Sequence, residues 1–376
     1  MAAAYPVVAL VAHTSDPPRI QALADAVCDG TDDAATINTW ITNVQSDGGG
    51  LVQLTDATFS IDTGPVKLKR KVDLAGSQWA ATILQGGSAT WSAFDTTSPG
   101  GIVEPVDGVQ DRVGLRDLTI AGGAGTLKGL YARVTANTGF VYGDDSRWII
   151  ERVLVRSTRS HGFDLGGAFC REWEVDKAHV FDCGVAGVTT AHGFYWDGND
   201  SMLRSIRCGA VTGEGIYVNG PNNTLVASKG YFADLNGIRV VGVRNKLVGC
   251  EAQDNLQNGL LVDTTAFHNV VEGFTADSNS YNGLGSGGAD FYGIRVLAGA
   301  SVVSGGVALD KNEGGRGLRQ KYGWSLASGL TRCYLTGSAN DNLTGMVQEE
   351  GALGTGNFAR IVGSQGGSTG SYSLNP

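Results

Sequence analysis

A four-residue pattern of apolar and variable positions recurs along the chain. Each copy has a Gly, a large apolar residue, a variable residue and a second apolar residue, as in GIYV at 215–218 and GIRV at 237–240. Alternation with a period of two is typical of a β-strand with one buried face. The copies begin at Gly162, Gly193, Gly215, Gly237, Gly259, Gly293, Gly323 and Gly345.

The spacing of these copies predicts a solenoid. The steps from Gly193 to Gly259 are 22 residues each, and three longer steps are interpreted as one coil plus an inserted loop. Apolar pairs at 225–226 and 247–248 indicate a second strand in each repeat. Units stacked about 4.8 Å apart give parallel sheets with right-handed crossovers. The predicted fold class is all-β, a single-stranded right-handed parallel β-helix.

The sequence outside the repeat predicts a helix and two end segments. Apolar residues between Ile37 and Val44 recur at helical spacing, so a helix at about 33–45, capped by the Asp pair at 32–33, is expected to close the blunt end of the stack. The predicted domains are a leader or attachment segment at 1–24, the β-helix at 25–362 and a flexible Gly/Ser-rich tail at 363–376.

Composition and charge narrow the classes of function. The net charge of −9 disfavours nucleic acid as a partner, because phosphate contacts need clustered Lys and Arg. No apolar run approaches the ~20 residues of a membrane span. No Lys or Arg precedes the apolar start of the chain, which argues against an ordinary secretory signal. The six cysteines lack zinc-ligand spacing and are expected to be buried thiols.

Two motifs upstream of the repeat resemble the N-terminal signature of the pectate-lyase-like superfamily. They are DGTDD at 29–33 and GGGLV at 48–52, on either side of the predicted helix. The resemblance covers about 25–362 and implies a parallel β-helix that acts on polysaccharides. That superfamily includes polysaccharide lyases, glycoside hydrolases, epimerases and homotrimeric bacteriophage tailspikes. The proline that usually follows the second motif and a polygalacturonase-type catalytic set are both missing, so no particular activity is implied.

The variable positions of the repeat are predicted to face solvent, because the apolar positions beside them face the core. Stacked along the axis, they would present aromatic rings and hydrogen-bonding groups to a ligand. This mixture suits a sugar polymer, whose rings stack on aromatic faces and whose hydroxyls need paired donors and acceptors. The predicted substrate-binding residues are Tyr131, Tyr195, Tyr217, Asn219, Asp263 and Arg295.

Carboxylates on this ladder and in the adjoining turns are candidates for catalysis. Asp164 and Asp197 are one coil apart, which predicts a Cα separation of about 8 Å, near the ~6.5 to 9.5 Å between the carboxyls of inverting glycosidases. Elimination beside a uronate carboxylate would instead need a base and a charge-neutralising group, such as His192 and Arg239. Any of the carboxylates could alternatively serve as a turn residue. The predicted catalytic residues are Asp164, Asp197, Asp200, Glu214, His192 and Arg239.

Three functions fit these features. The first is a homotrimeric phage or phage-like tail protein, a tailspike or receptor-binding protein of the virion tail, which binds and degrades a bacterial surface polysaccharide by hydrolysis or β-elimination. Such a protein would also contact other tail proteins. The second is a free extracellular polysaccharide lyase or glycoside hydrolase, and the third is a non-catalytic adhesive or structural β-helix. No metal site or cofactor is predicted, with Ca²⁺ considered only for a lyase.

Overall fold

The computed structural model describes residues 7–87, 101–105, 112–123, 128–133, 148–185, 191–280, 291–310, 320–365 and 368–374. The chain divides into two compact units, Met1–Val185 and Ala186–Pro376. Both consist mainly of short β-strands that pair with strands of neighbouring coils. Segments of the three predicted inserted loops, at 186–190, 281–290 and 311–319, lie outside the described residues.

The first unit contains two helices and thirteen strands among its described residues. The helices are α1 (Pro18–Gln21) and α2 (Ala34–Ser46). The strands are β1 (Val7–His13), β2 (Ala26–Cys28), β3 (Gly50–Leu54), β4 (Thr58–Ile61), β5 (Val66–Leu68), β6 (Val72–Ala75), β7 (Ile83–Gly86), β8 (Gly101–Pro105), β9 (Val113–Ala121), β10 (Lys128–Arg133), β11 (Trp148–Arg156), β12 (Phe163–Arg171) and β13 (Glu174–Cys183).

Parallel pairing organises the first unit into stacked coils. Strands β5, β8, β10 and β12 pair in succession and are called the Asp164 sheet. A second series runs through β3, β6, β9, β11 and β13. The inward side chains of both series, such as Leu130, Leu165, Ile150 and Val155, are fully buried. Alternation along each strand thus places one face in a continuous core.

The predicted N-terminal helix is present as α2 and buries Ile37, Ile41 and Val44. It packs against β1, β3 and β5, and its role as the cap of the stack stays a prediction. Of the predicted capping pair, the Asp32 carboxylate accepts a backbone hydrogen bond from Ala34, the first residue of α2. Asp33 makes no side-chain hydrogen bond to the helix. Its carboxylate accepts the N–H groups of Gly30 and Ser60 instead, and so ties the DGTDD loop to β4.

The predicted leader belongs to the coiled structure. Strand β1, within the segment 1–24, pairs in parallel with β3 from Val7 opposite Gly50 to Val11 opposite Leu54. Val11 and Ala12 are fully buried. The alternation of β1 is short and is followed by a turn, so its membership of the stack is decided by the partner strand rather than by a repeat in the sequence. This is a correction to the predicted leader.

The second unit contains nineteen strands among its described residues. They are β14 (Phe194–Asn199), β15 (Met202–Arg204), β16 (Arg207–Val211), β17 (Ile216–Val218), β18 (Thr224–Val226), β19 (Lys229–Ala233), β20 (Ile238–Val240), β21 (Lys246–Val248), β22 (Glu251–Gln253), β23 (Leu260–Val262), β24 (Val270–Glu272), β25 (Thr275–Asp277), β26 (Tyr292–Val296), β27 (Val302–Leu309), β28 (Tyr322–Leu326), β29 (Tyr334–Asn340), β30 (Gly345–Glu349), β31 (Phe358–Gln365) and β32 (Ser368–Leu374).

The Gly-initiated repeats of the second unit lie one above another, as the sequence predicted. Strands β14, β17, β20, β23, β26, β28 and β30 pair in parallel and are called the Tyr217 sheet. Their inward positions form a buried column, each side chain 0% exposed, made of Phe194, Ile216, Ile238, Leu260, Ile294 and Trp324. The predicted parallel β-helix architecture is confirmed in this unit.

The last strand reverses the direction of pairing. Strand β31 pairs in parallel with β29, whereas β32 pairs antiparallel with β31 from Ala359 opposite Leu374 to Gln365 opposite Ser368. The described part of the predicted tail at 363–376 contains the end of β31 at Gln365 and strand β32, which pairs along the edge of β31. The flexibility of this segment stays a prediction. An otherwise open strand edge is a site of aggregation.

The cysteines are buried thiols, as the sequence predicted. All six cysteines are buried and free of disulfide bonds. Burial raises the pKa of the Cys250 thiol to about 11, so this group is a thiol at neutral pH. In the described part of the chain, neither helix has the length and apolar character needed to cross a membrane.

Candidate functional site

The outward side chains of the Tyr217 sheet form a ladder in register. Consecutive Cα partners in this column are Tyr195, Tyr217, Arg239, Leu261, Arg295, Ser325 and Gln348. Most of these side chains are partly exposed, but Leu261 is only 8% exposed and Ser325 is 0% exposed. The ladder predicted from the repeat is thus present within the second unit.

Aromatic rings at the start of this ladder stack on one another. The Tyr217 ring centroid lies 5.1 Å from that of Tyr195 and 4.9 Å from that of His192, with interplanar angles of 11° and 5°. The Arg239 guanidinium, one coil further on, lies 5.4 Å from the Tyr217 centroid. Both faces of Tyr217 are therefore covered.

This stack corrects the reason for predicting Tyr217 as a ligand-binding residue. Coils about 4.8 Å apart bring aromatic rings within stacking distance of one another, so a sugar ring has no free face of Tyr217 to contact. Its phenol hydroxyl is the group that remains for a ligand. Burial raises the pKa of Tyr217, so this hydroxyl keeps its proton.

Glu214 belongs to a column of side chains that accept backbone N–H groups from the next coil. His192 Nδ1 accepts the N–H of Glu214 at 3.1 Å, and Glu214 Oε2 accepts the N–H of Asn236 at 2.7 Å. Asn236 Oδ1 in turn accepts the N–H of Asn258 at 3.1 Å. The residues before these repeat glycines therefore join adjacent coils.

The second oxygen of the Glu214 carboxyl points to the ladder. Glu214 is 0% exposed, and its Oε1 lies 3.2 Å from Nη1 of Arg239. Burial raises the pKa of Glu214 above its usual range, although the hydrogen bonds from Asn236 and the charge of Arg239 act in the opposite direction. Glu214 is thus a carboxyl inclined to hold a proton beside a charged surface group.

Arg239 joins Glu214 to a second carboxylate, Asp263. Its Nε and Nη2 donate to Asp263 Oδ2 at 2.9 and 2.5 Å. Partial burial by itself raises the pKa of Asp263, but the hydrogen bonds from Arg239 and Thr264 outweigh it and hold the pKa below its usual range. The two carboxyl groups on Arg239 therefore have opposite shifts in proton affinity.

The other predicted residues of the second unit lie around this group in different settings. Asn219 Nδ2 donates to Asp197 Oδ1 at 2.8 Å, which links the next column of the sheet. Asp200 is exposed in a turn with φ of 53°, as expected of a turn residue. Arg295 makes a bidentate pair with Glu350 at 2.9 and 2.8 Å.

A separate charged cluster lies on the Asp164 sheet of the first unit. Lys128 Nζ lies 2.7 Å from Asp164 Oδ2, and Arg133 Nε lies 2.6 Å from Oδ1. Tyr131 is the Cα partner of Asp164, and the Lys128 ammonium lies 4.3 Å from its ring centroid. Burial by itself raises the pKa of Asp164, but the charges of His161, Lys128 and Arg133 hold it below its usual range.

The predicted exposure of Asp164 is wrong, since this residue is only 2% exposed. Two long cationic side chains of β10 reach over the carboxylate and remove it from water. Asp164 belongs to the first unit and Asp197 to the second, and their action as an acid–base pair stays a prediction. In the described ranges, no cluster of three or more His, Cys, Asp and Glu side chains could hold a metal ion.

Several members of these clusters were not predicted from the sequence. Lys128 precedes a glycine that starts a strand, just as His192 and Glu214 do. This shared position is a signal that could have identified it. Glu350 carries no such signal, because it reaches Arg295 from two coils away.

Neither a protein-family model nor a curated protein sequence matches this chain. Solved structures do resemble it. The A-module of the Azotobacter vinelandii mannuronan C-5 epimerase AlgE6 aligns with 88% of this chain and 96% of its own length, at a TM-score of 0.64 and 18% identity. The enzymatically active domain of bacteriophage CBA120 tailspike protein 2 aligns with 82% of this chain and 46% of its own length. Its TM-score is 0.63 and its sequence identity is 15%.

A variant of the periplasmic alginate epimerase AlgG also resembles the chain. The alignment covers 84% of this chain and 75% of the epimerase, with a TM-score of 0.58 and 14% identity. At such identities the likeness concerns the fold. It agrees with the parallel strand pairing of both units and with the resemblance carried by the DGTDD and GGGLV motifs. The chain has a right-handed parallel β-helix fold, as these solved structures do.

Proposed function

We propose that this protein binds a polysaccharide along the Tyr217 sheet and cleaves it by acid–base catalysis. The observation that carries the proposal is the pair of carboxyl groups on Arg239. Glu214 has a raised pKa and Asp263 a lowered one. Two carboxyls with opposite shifts, held side by side, can supply a proton donor and a proton acceptor at one pH.

The chemistry follows from this division of roles. Glu214 would donate its proton to the glycosidic oxygen, and Asp263 would take a proton from the water that attacks the anomeric carbon. Because both carboxyls contact one guanidinium, their bound oxygens are at most roughly 8 Å apart. Inverting hydrolysis uses a spacing of about 6.5 to 9.5 Å. Arg239, with its side chain 33% exposed, stands between Glu214 and solvent and would have to move to admit the sugar.

Binding would rely on hydrogen bonds from the ladder. The Tyr217 and Tyr195 hydroxyls supply donors, and the Asn219 amide and the Arg295 guanidinium lie in the same part of the sheet. Sugar hydroxyls need such paired donors and acceptors. The ladder repeats with each coil, so an extended polymer would contact several rungs at once.

Elimination or epimerisation of an acidic polysaccharide is the second candidate. It is favoured by the Asp164 cluster, where the cationic side chains of Lys128 and Arg133 lie on one carboxylate. Cationic groups of this kind can hold a uronate carboxylate and stabilise the anion formed when the neighbouring proton is removed. Two of the structural neighbours are described as epimerases of mannuronan and alginate. A non-catalytic glycan-binding protein is the third.

The setting we propose is a phage tail, with the protein as a homotrimer that acts on a bacterial surface polysaccharide. This is supported by the tailspike neighbours, of which the CBA120 protein is described as having an enzymatically active domain. The alternative is a free extracellular enzyme, which the epimerase neighbours suggest. Native mass spectrometry distinguishes the oligomeric states, and a monomer at micromolar concentration would count against the tailspike assignment.

Polysaccharide digestion tests the proposed activity. Mannuronan and a panel of purified bacterial capsular and O-antigen polysaccharides are incubated with the protein. New reducing ends without absorbance near about 235 nm indicate hydrolysis, whereas that absorbance indicates elimination. Proton NMR of unshortened mannuronan detects epimerisation at C-5. Binding without any of these changes would leave only the non-catalytic alternative.

Two variants test the assigned carboxyls. Glu214→Gln and Asp263→Asn should each lower the cleavage rate by about 10² or more, because each removes one proton-transfer group. The matched control, Asp200→Asn, removes an exposed carboxyl in a turn and should keep the rate within about twofold. The wild-type rate should fall as the pH rises through the raised pKa of Glu214. Unchanged rates in both variants would exclude this pair.

A further inference from the structure

A second aromatic surface lies on another part of the second unit. Strands β16, β19, β22 and β25 pair in parallel as a series distinct from the Tyr217 sheet. In this series Tyr231 is the Cα partner of Gly209 on one side and of Gln253 on the other. The group formed by Tyr231, Phe232, Lys229, Glu251 and Gln253 is called the Tyr231 patch.

The Tyr231 ring leans across the surface of the preceding strand. A Cβ added to Gly209 would lie 2.3 Å from Cε2, 2.4 Å from Cζ and 2.9 Å from Cδ2 of this ring. The ring therefore occupies the space that any side chain at Gly209 would need. It is only partly covered, so part of the ring remains accessible to a ligand.

Polar groups beside the ring hold one another in fixed positions. Lys229 Nζ lies 5.8 Å from the Tyr231 ring centroid and donates to Glu251 Oε1 at 2.8 Å and to Gln253 Oε1 at 2.7 Å. The side chains of Lys229 and Glu251 remain 29% and 40% exposed. The patch thus has an aromatic floor with neutralised, hydrogen-bonding groups along one edge.

Phe232 adds an aromatic wall in an unfavourable backbone conformation. Its φ of 50° lies in the left-handed region, which a bulky side chain rarely adopts. The side chain is nevertheless 47% exposed and meets the Tyr231 ring at a centroid distance of 5.8 Å and an angle of 69°. A left-handed φ recurs at the equivalent position of neighbouring coils, at Ala210, Asp254 and Ser278, so it belongs to the bend of each coil. The exposed aromatic surface is the feature typical of contact sites.

We propose that the Tyr231 patch is a second carbohydrate-binding site that takes one pyranose ring of a glycan. The apolar C–H face of the sugar would lie on Tyr231 against Phe232, and its hydroxyls would bond to Lys229, Glu251 and Gln253. A sugar fits better than a protein partner, because the apolar part consists of two rings, far short of the ~800 Å² that each side of a stable protein interface buries. The site is separate from the carboxyl pair on Arg239.

Fluorine NMR of protein labelled with 3-fluorotyrosine tests this site directly. The chain has 11 tyrosines, and loss of one signal in Tyr231→Phe assigns Tyr231. Methyl β-D-glucopyranoside, methyl α-D-mannopyranoside, methyl β-D-galactopyranoside and mannuronan are titrated separately, each glycoside to about 100 mM, enough for a millimolar dissociation constant. At least one should shift the Tyr231 signal in a saturable way. The Tyr195 and Tyr217 signals report independently on the proposed catalytic face.

Gly209→Ala is the sharpest variant. Gly209 does not have a left-handed φ, so Ala fits the backbone, while its methyl group displaces the Tyr231 ring. This change should abolish the saturable shift without removing any hydrogen-bonding group. Tyr334→Ala, which removes another exposed tyrosine of the same unit, is the control and should preserve it.

Two results would overturn the proposal. One is a Tyr231 signal that responds to none of the four probes, or responds equally in Gly209→Ala. The other is a signal that moves with protein concentration instead of sugar concentration, which would assign the patch to contact between copies of this chain. If the Tyr231 signal shifts while the Tyr195 and Tyr217 signals do not, the result would count against the proposed function and would leave the Tyr231 site standing.

Discussion

Glu214 places an ionisable group at a position that asparagine occupies in the two following coils. The neighbouring coils place Asn236 and Asn258 at the equivalent position, and their side chains accept backbone N–H groups with a neutral amide. A glutamate makes the same bond through Oε2 but has a second, ionisable oxygen next to Arg239. Burial then favours the protonated carboxyl, because charge is costly away from water.

The raised pKa of Glu214 predicts a pH-dependent cost in stability. A carboxyl whose pKa is raised in the folded state binds more protons when folded than when unfolded, between its unfolded pKa of about 4.3 and its folded pKa. The free energy of unfolding therefore decreases as the pH rises through this window, by about 1.4 kcal/mol for each tenfold difference in proton affinity.

Urea denaturation between pH 4 and 8 checks this sign. Relative to the Glu214→Gln variant, which cannot titrate at this position, the wild type should lose stability as the pH rises. Asp200→Asn, an exposed carboxyl in a turn, is the control and should follow the wild-type profile. If the wild type instead became more stable than the Glu214→Gln variant as the pH rises, the ion pair with Arg239 would outweigh the effect of burial on the pKa of Glu214.

At the scale of the element, buried asparagines hold the turns of successive coils together. Asn223 Oδ1 accepts the N–H of Ser201 at 3.1 Å, Asn245 Oδ1 accepts that of Asn223 at 2.8 Å, and Asn269 Oδ1 accepts that of Asn245 at 2.6 Å. The three asparagines are 1–2% exposed. Each amide satisfies a donor that no strand pairing reaches.

The hydrogen bonds of these asparagines predict unequal losses of stability for two Asn→Ala substitutions. Asn223 Nδ2 donates to Gly198 O and Gly220 O, whereas Asn245 Nδ2 is buried without a hydrogen-bond partner. Asn223→Ala should therefore destabilise the protein by about 2 to 3 kcal/mol and Asn245→Ala by about 1 kcal/mol, since each unpaired buried group costs roughly 1 to 3 kcal/mol.

Chemical denaturation with a matched control measures this difference. Lys246→Ala removes an ion pair whose side chains are 48% and 46% exposed, and exposed pairs contribute at most about 1 kcal/mol. It should therefore be nearly neutral. Equal losses for Asn223→Ala and Asn245→Ala would show that the amide donors contribute nothing measurable.

At the scale of the whole molecule, both ends of the described chain are paired into the coils. Strand β1 adds a parallel strand to β3, and β32 adds an antiparallel strand to β31. The predicted leader and the predicted tail therefore contain strands that form backbone hydrogen bonds with their neighbours. Local composition does not reveal this, because the partners lie far away in the chain.

Deleting residues 1–24 should destabilise the protein rather than leave it unchanged. The deletion removes β1, whose Val11 and Ala12 are fully buried, and uncovers Val52 and Leu54 of β3. At about 25 cal/mol per Å² of apolar surface, the loss is on the order of 3 kcal/mol, which corresponds to a melting temperature lower by roughly 5 °C or more.

Differential scanning calorimetry checks the deletion. Val8→Ser, a change at a β1 side chain that is 60% exposed, is the control and should move the melting temperature by less than about 1 °C. A deletion variant with the melting temperature of the intact protein would instead favour a leader or attachment segment at 1–24.

The architecture of the second unit could be predicted from the sequence because its information is local and repeated. A period of two fixes which side chains face the core, and a step of 22 residues aligns each strand with the next. The same repeat placed Tyr195, Tyr217, Arg239 and Arg295 in one outward column, which the strand register confirms. The glycine at the start of each copy marked where each strand of this sheet begins.

The chemistry of the site was decided only by the tertiary structure. The stacking that covers Tyr217, the cations that bury Asp164 and the guanidinium shared by Glu214 and Asp263 depend on side-chain directions between coils. A sequence specifies which residues occupy a rung, since alternation is a backbone property. It does not specify which neighbour a long side chain contacts, because several partners lie within reach and only the packed surface selects among them.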